Sequence, residues 1–136
     1  MRLRFLGLCV ALVWVTSAVA ASAQSPASST PSPSIAALQK QAASGNAEAE
    51  SSLGYAYYQG RGVSKDYGQA IIWLRKAADQ GNADAQTALG YAYHNGQGVT
   101  KDDAASLTWF RKAADQGDAA AQTDLGYAYS IGRGTP

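Results

Sequence analysis

The sequence predicts an all-α solenoid built from a 36-residue helix–turn–helix unit, and three observations carry that prediction. Gly54, Gly90 and Gly126 lie 36 residues apart, as do Leu53, Leu89 and Leu125, Tyr57, Tyr93 and Tyr129, and the pair Trp73 and Trp109. Residues 46–81 and 82–117 agree at 21 of 36 positions. Within each unit, apolar residues recur at helical spacing and every run ends on glycine. A period of this size marks stacked supersecondary units, each burying an apolar face against its neighbours.

The first helix of a unit is read from Ala49, Leu53 and Tyr57, spaced i, i+4, i+8 along one stripe. Asn46, Asn82 and Asp118 each follow a glycine and are natural N-caps, because their side-chain oxygens accept from free first-turn amides. Glu48 and Asp84 add negative charge near the positive end of the helix dipole. Gly60 and Gly62 end the helix in a loop where positive φ costs little. The second helix starts at a cap, Asp66 or Asp102, and is expected to bury Ala70, Trp73, Leu74 and Ala77. Gly81 and Gly117 close it as C′ residues. Truncating a fully buried Trp to Ala costs about 3–5 kcal/mol, so each Trp is expected to matter.

The array has ragged ends. Residues 35–45 align with 71–81 and form a half repeat, a lone second helix with Ala37 in place of Trp. Full repeats follow at 46–81 and 82–117, then a partial repeat at 118–136 with a first helix only. Six helices are expected. The stripe of Ala121, Leu125 and Tyr129 is left partly uncovered, whereas terminal repeats normally carry a polar outer face. Either the chain is part of a longer array or this end docks on something else, which makes the uncapped last helix a further place for contact.

Residues 1–23 read as a signal peptide: a basic start at Arg2 and Arg4, an apolar run from Phe5 to Val15, and small-x-small cleavage sites after Ala20 or Ala23. The run is shorter than the roughly 20 residues a membrane span needs. Cys9 lies inside that run, not after it, so it reads as an apolar residue of the signal and not as a lipid-attachment site. The processed chain is then free of cysteine, which excludes disulfides, thiolate metal sites and a cysteine nucleophile. Residues 24–34 form a Pro/Ser-rich flexible linker without enough apolar surface to fold. Losing Arg2 and Arg4 takes the 11 basic residues to nine against 10 acidic ones. That balance gives no footprint for nucleic acid or an anionic membrane surface.

The fixed positions now in view resemble one known repeat. Ala49, Leu53-Gly54, Tyr57, Gly60-x-Gly62-Val63, Asp66, Ala70, Trp73, Ala77-Ala78, Gly81 and Ala85 are similar to the pattern of Sel-1-like repeats, relatives of the tetratricopeptide repeat. Leu89-Gly90, Tyr93, Gly96-x-Gly98-Val99, Asp102, Trp109, Ala113-Ala114 and Gly117 carry it through the second unit. Ser106 departs from the Ala of the pattern but is still small. The resemblance covers residues 35–136. It implies a right-handed α/α superhelix whose first helices line a concave face, in a family of adaptors and scaffolds, many of its bacterial members exported, without a shared catalytic site. A repeat identifies a fold better than a ligand.

By the same analogy the concave face carries Ser51, Tyr55 and Tyr58 in the first unit, Thr87, Tyr91 and His94 in the second, and Thr123 and Tyr127 in the third. Glu48, Gln59, Asp84 and Asn95 flank that stripe, and spacings of three and four keep it on one side. Tyr55, Tyr91 and Tyr127 stand outside the core pattern yet recur in all three units. Two readings stay open: they pack between repeats, or they form a recognition surface, for which tyrosine is well suited. His94, the single histidine, reads as an exposed helix-end side chain, and one histidine without cysteine cannot build a zinc site. The acidic residues fall at helix caps and ends, and the Gly-x-Gly loops lack the preceding strand of a phosphate-binding turn. Arg75-Lys76 and Arg111-Lys112 read as a solvated basic face.

The expected function is therefore a non-enzymatic adaptor of the cell envelope, periplasmic or secreted. It would bind a protein or peptide and use no cofactor, metal or nucleic acid. The alternatives are a binder of peptidoglycan or other wall glycans, with tyrosine faces against sugar rings, and, further off, a hydrolase.

Overall fold

The side-chain oxygens of Asn46, Asn82 and Asp118 accept from the amides of Ala49, Ala85 and Ala121 at 3.0, 2.8 and 2.7 Å. Asp66 and Asp102 do the same for Gln69 and Ala105 at 3.0 and 2.9 Å. These five caps start five of the six helices in a computed structural model of the chain, which describes residues 33–133. Residues 1–23, read above as a signal peptide, and all but the last two residues of the expected linker lie outside the described residues. The helices are α1 (Ile35–Ala43), α2 (Ala47–Gln59), α3 (Tyr67–Asp79), α4 (Ala83–Asn95), α5 (Asp103–Asp115) and α6 (Ala119–Ser130). Ser34 caps α1. Among the described residues none of them is long and apolar enough to cross a membrane.

The junction from a second helix to the next first helix is made within three residues. After α3, the Gly81 amide donates to the Ala78 carbonyl and the Asn82 amide to that of Ala77, with Gly81 at φ +94°. That is a Schellman closure, and its last residue is already the cap of α4. Gly117 and Asp118 repeat the arrangement between α5 and α6. Between first and second helices, Gly60 and Gly62 take φ of +71° and +74°, and the Asp66 amide is tied back to the Tyr57 carbonyl at 2.9 Å.

Leu53, Leu74 and Leu89 are the largest fully buried side chains. The central cluster joins Ala70, Leu74, Ala77 and Ala78 of α3 to Ala85, Leu89 and Ala92 of α4. A second cluster lies between α1 and α2 on Leu38 and Leu53, and a third between α5 and α6 on Phe110 and Ala113. Successive units are also joined by amide ladders: Gln86 donates to the Ala78 carbonyl at 3.1 Å and accepts from Gln116 at 2.8 Å. Gln80 reaches the buried Glu50 carboxylate in the same way one unit earlier.

The tryptophans correct one expectation. Trp73 and Trp109 are half-buried and lie at the edge of the core, while Leu74 and Phe110, the next residues along, fill its centre. It is Leu74 and Phe110 that seat against Gly54 and Gly90 of the first helices, and the tryptophan one residue earlier is turned away from that contact, with the ammonium of Lys76 or Lys112 4.3 Å from its indole centroid. The basic pairs are accordingly not a free solvated face. Arg75 and Arg111 donate to the hydroxyls of Tyr93 and Tyr129 and sit over their rings.

Candidate functional site

Each tyrosine of the repeated stripe sits on a first helix, and Tyr55 and Tyr91 reach the next unit. The Tyr55 hydroxyl donates to the Asp84 carbonyl at 3.0 Å, and the Tyr91 hydroxyl donates to the Asp124 carboxylate. Tyr91 also meets Phe110 edge-on, with centroids 5.1 Å apart. Coverage falls along the array, from half-buried Tyr55 to Tyr91 at 37% exposed and Tyr127 at 62%. Packing between repeats thus describes Tyr55 and Tyr91, each bonded to the next first helix, whereas none of the described residues covers Tyr127.

The smaller hydroxyls of the stripe behave otherwise than expected. Ser51 and Thr87 are buried, at 5% and 6% exposure, so they offer no surface to a partner. Thr87 Oγ1 has no hydrogen-bond partner. Thr123, the equivalent on α6, is exposed and bonds back to the Ala119 carbonyl at 2.9 Å.

Tyr58 and His94 open onto a feature that the stripe did not reveal. Tyr58 packs edge-on against Tyr67 at 5.1 Å, and Gln97 of the next loop accepts from the Tyr58 hydroxyl and donates to that of Tyr67 at 3.4 Å. Thirty-six residues on, the same three positions are His94, Asp103 and Arg133. His94 Nδ1 lies 2.9 Å from Asp103 Oδ1, and Arg133 Nη1 lies 3.2 Å from His94 Nε2. His94 is therefore half-buried and held on two sides, not a free helix-end side chain. Its hydrogen bond is the first cause holding the Asp103 carboxyl below its ordinary range, with Arg133 adding to the effect.

An open cleft of about 140 Å³ lies beside this trio. Leu107, Phe110, Ala128 and the ring of Tyr127 form its apolar wall. Its polar lining is His94, Asp103 and Arg133 together with Ser106, Asp124 and Tyr91. Of the stripe residues, Tyr91, His94 and Tyr127 meet here, whereas Tyr55 and Tyr58 belong to the preceding unit. Asp103, Phe110, Asp124 and Arg133 were missed from the sequence. The 36-residue offset applied to loop positions would have found Arg133, since it occupies the place of Gln97. Among the described residues no group of three or more His, Cys, Asp or Glu side chains could hold a metal ion.

The packing of the tyrosines has a measurable consequence. Burial, then the nearby Asp84 charge, pushes the Tyr55 phenol up to about 12, and burial with the Asp124 hydrogen bond does the same for Tyr91. A phenol near 10 in the unfolded chain and near 12 in the folded one favours folding below pH 10. That contribution is lost as the pH rises through 12. Absorbance titration at 295 nm is expected to show Tyr55, Tyr58 and Tyr91 ionising later than a free phenol, and Tyr55→Phe should flatten the alkaline loss of stability. A single transition near pH 10 for all eight tyrosines in the folded chain would contradict this packing.

The Sel1 repeat family model matches residues 47–82, 83–118 and 119–136. The chain belongs to the Sel1 repeat family. Solved structures agree. A protective antigen present in uropathogenic Escherichia coli strains, described as displaying an SLR fold, superposes with a TM-score of 0.71 at 44% identity, over 74% of this chain and 21% of that one. A Sel1 repeat protein from Oxalobacter formigenes gives 0.70 at 38% identity, over 74% of this chain and 43% of that one. Cysteine-rich protein B of Helicobacter pylori gives 0.64 at 28%, over 67% of this chain and 68% of that one. The Sel1 chain thus spans about a fifth and two fifths of the first two relatives. A comparison with curated proteins gives no match. Sel1 repeat proteins are in general non-catalytic scaffolds for protein–protein interaction, built as all-α repeat solenoids.

Proposed function

We propose that this Sel1 repeat chain is an adaptor of the cell envelope that binds a protein or peptide along the first-helix face, chiefly at Tyr91, His94 and Tyr127. The observation that carries this reading is the uncovered Tyr127 ring, 62% exposed, standing beside the open cleft. Exposed aromatics with a polar tip are favoured at recognition surfaces because they present a large area for few frozen torsions. Tyr55 and Tyr58 extend the face toward the N-terminal units, while Ser51 and Thr87 are buried and offer it no surface. Export to the periplasm or medium rests on the basic start, apolar run and small-residue cleavage sites of residues 1–23.

The test is selection of ligands from a displayed peptide library on the chain from Gln24 onward. Tyr127→Ala removes an exposed ring and should leave helical content unchanged while lowering affinity for the selected peptides at least tenfold. Peptides that bind this variant as well as the parent would sink the reading. Parallel titration with peptidoglycan fragments separates it from glycan binding, which would show saturable binding of sugars and no enrichment of peptides.

A further inference from the structure

We infer that the cleft between α4, α5 and α6 is a pocket for one aromatic side chain of the bound peptide, with tyrosine preferred. This rests on the peptide-binding reading above and names the residue type that the site selects. The template is the chain itself. In the preceding unit the equivalent space holds two rings, Tyr58 and Tyr67, packed edge-on and bridged by Gln97. At the cleft those positions carry His94 and Asp103, so one six-membered ring is replaced by the smaller imidazole and the other by a carboxylate. Phe110 and Asp124 also stand where the preceding unit has Leu74 and Ala88, so the open space reflects the two lost rings together with the uncovered ring of Tyr127.

Size and polarity agree with that occupant. A cleft of about 140 Å³ is close to the roughly 150 Å³ apolar cavity that accepts benzene in another protein. Phe110 and Tyr127 offer ring partners of the kind Tyr58 offers Tyr67, and edge-to-face aromatic pairs favour such contacts. Arg133 takes the sequence place of Gln97, whose amide donates to the Tyr67 hydroxyl, and its guanidinium, with one nitrogen held against His94, keeps further N–H groups to offer a phenol oxygen. Phenylalanine would leave that donor without the same partner, and this sets the preference for tyrosine. Asp103 and Asp124 make a lysine side chain the competing occupant, and the experiment decides between them.

The experiment is a titration of the ¹⁵N-labelled chain with N-acetyl-tyrosinamide, N-acetyl-phenylalaninamide and N-acetyl-lysinamide. Tyrosinamide is expected to shift the resonances of His94, Asp103, Phe110 and Arg133, with several-fold weaker binding of the phenylalanine compound and none of the lysine one. The triple variant H94Y/D103Y/R133Q installs the trio of the preceding unit. It should remain folded and weaken tyrosinamide binding at least tenfold. Should the triple variant fail to fold, the single variants decide: Asp103→Tyr must abolish binding, and Asp103→Asn, which keeps the space, must retain it within about twofold. Equal or tighter binding of lysinamide overturns the inference, as does unchanged tyrosinamide binding by a folded, filled variant. Capture of library peptides that survives filling the cleft but not Tyr127→Ala overturns the pocket alone and leaves the adaptor reading standing.

Discussion

Leu89→Ala is expected to lower the unfolding free energy by about 2–5 kcal/mol, read from urea or thermal unfolding followed by circular dichroism. Leu89 is fully buried and lies in the central cluster, where α4 meets Ala70, Leu74, Ala77 and Ala78 of α3. Truncation removes three carbons from a site walled largely by alanines, which cannot lean in to fill the void. A chain of this size has about 5–15 kcal/mol in total, so the loss is a large share of it. In a solenoid, stability is a sum of repeat and nearest-neighbour terms, and a defect at α4 weakens the coupling of the units on both sides. Trp73→Ala should cost less than the 3–5 kcal/mol of a fully buried tryptophan, because its indole is half-exposed under Lys76. A Trp73 loss equal to or above that of Leu89 would show that the core is centred elsewhere.

Valine at three equivalent glycines should give two opposite results. A Cβ on Gly54 would stand 2.6 Å from Leu74 Cγ, and one on Gly90 2.6 Å from Phe110 Cε1, while one on Gly126 meets nothing within 4 Å. Gly54→Val and Gly90→Val are therefore expected to destabilise by about 1–3 kcal/mol or more through overpacking, since the second helix seats its large side chain against that glycine. Gly126→Val should stay within about 0.5 kcal/mol of the parent, because glycine's own helix-propensity deficit is relieved and no neighbour is displaced. Equal effects at all three positions would mean that the glycines serve the helix backbone and not the approach of α3 and α5.

How much of this was legible depended on the range of the interaction involved. Helix number, caps and glycine stops follow from contacts within three or four residues, and Asn46, Asp66 and Gly81 each do what their chemistry and position dictate. The repeat period likewise named Leu53, Leu74 and Leu89 or their stripes without any need for coordinates. The candidate site was legible only in part. Tyr91, His94 and Tyr127 could be placed on one face by helical spacing, but the trio of His94, Asp103 and Arg133 joins three separate segments that no local pattern connects.

Sequence alone determined the fold, the phase of the repeat and the identity of the caps, because each is fixed by local backbone hydrogen bonding and by apolar periodicity. Tertiary structure decided which members of a repeated position face solvent. Thr87 and Thr123, or Tyr55 and Tyr127, are identical as sequence, yet the first of each pair is covered and the second is exposed. Burial depends on what stacks above a residue, and that is a property of the array, not of the residue.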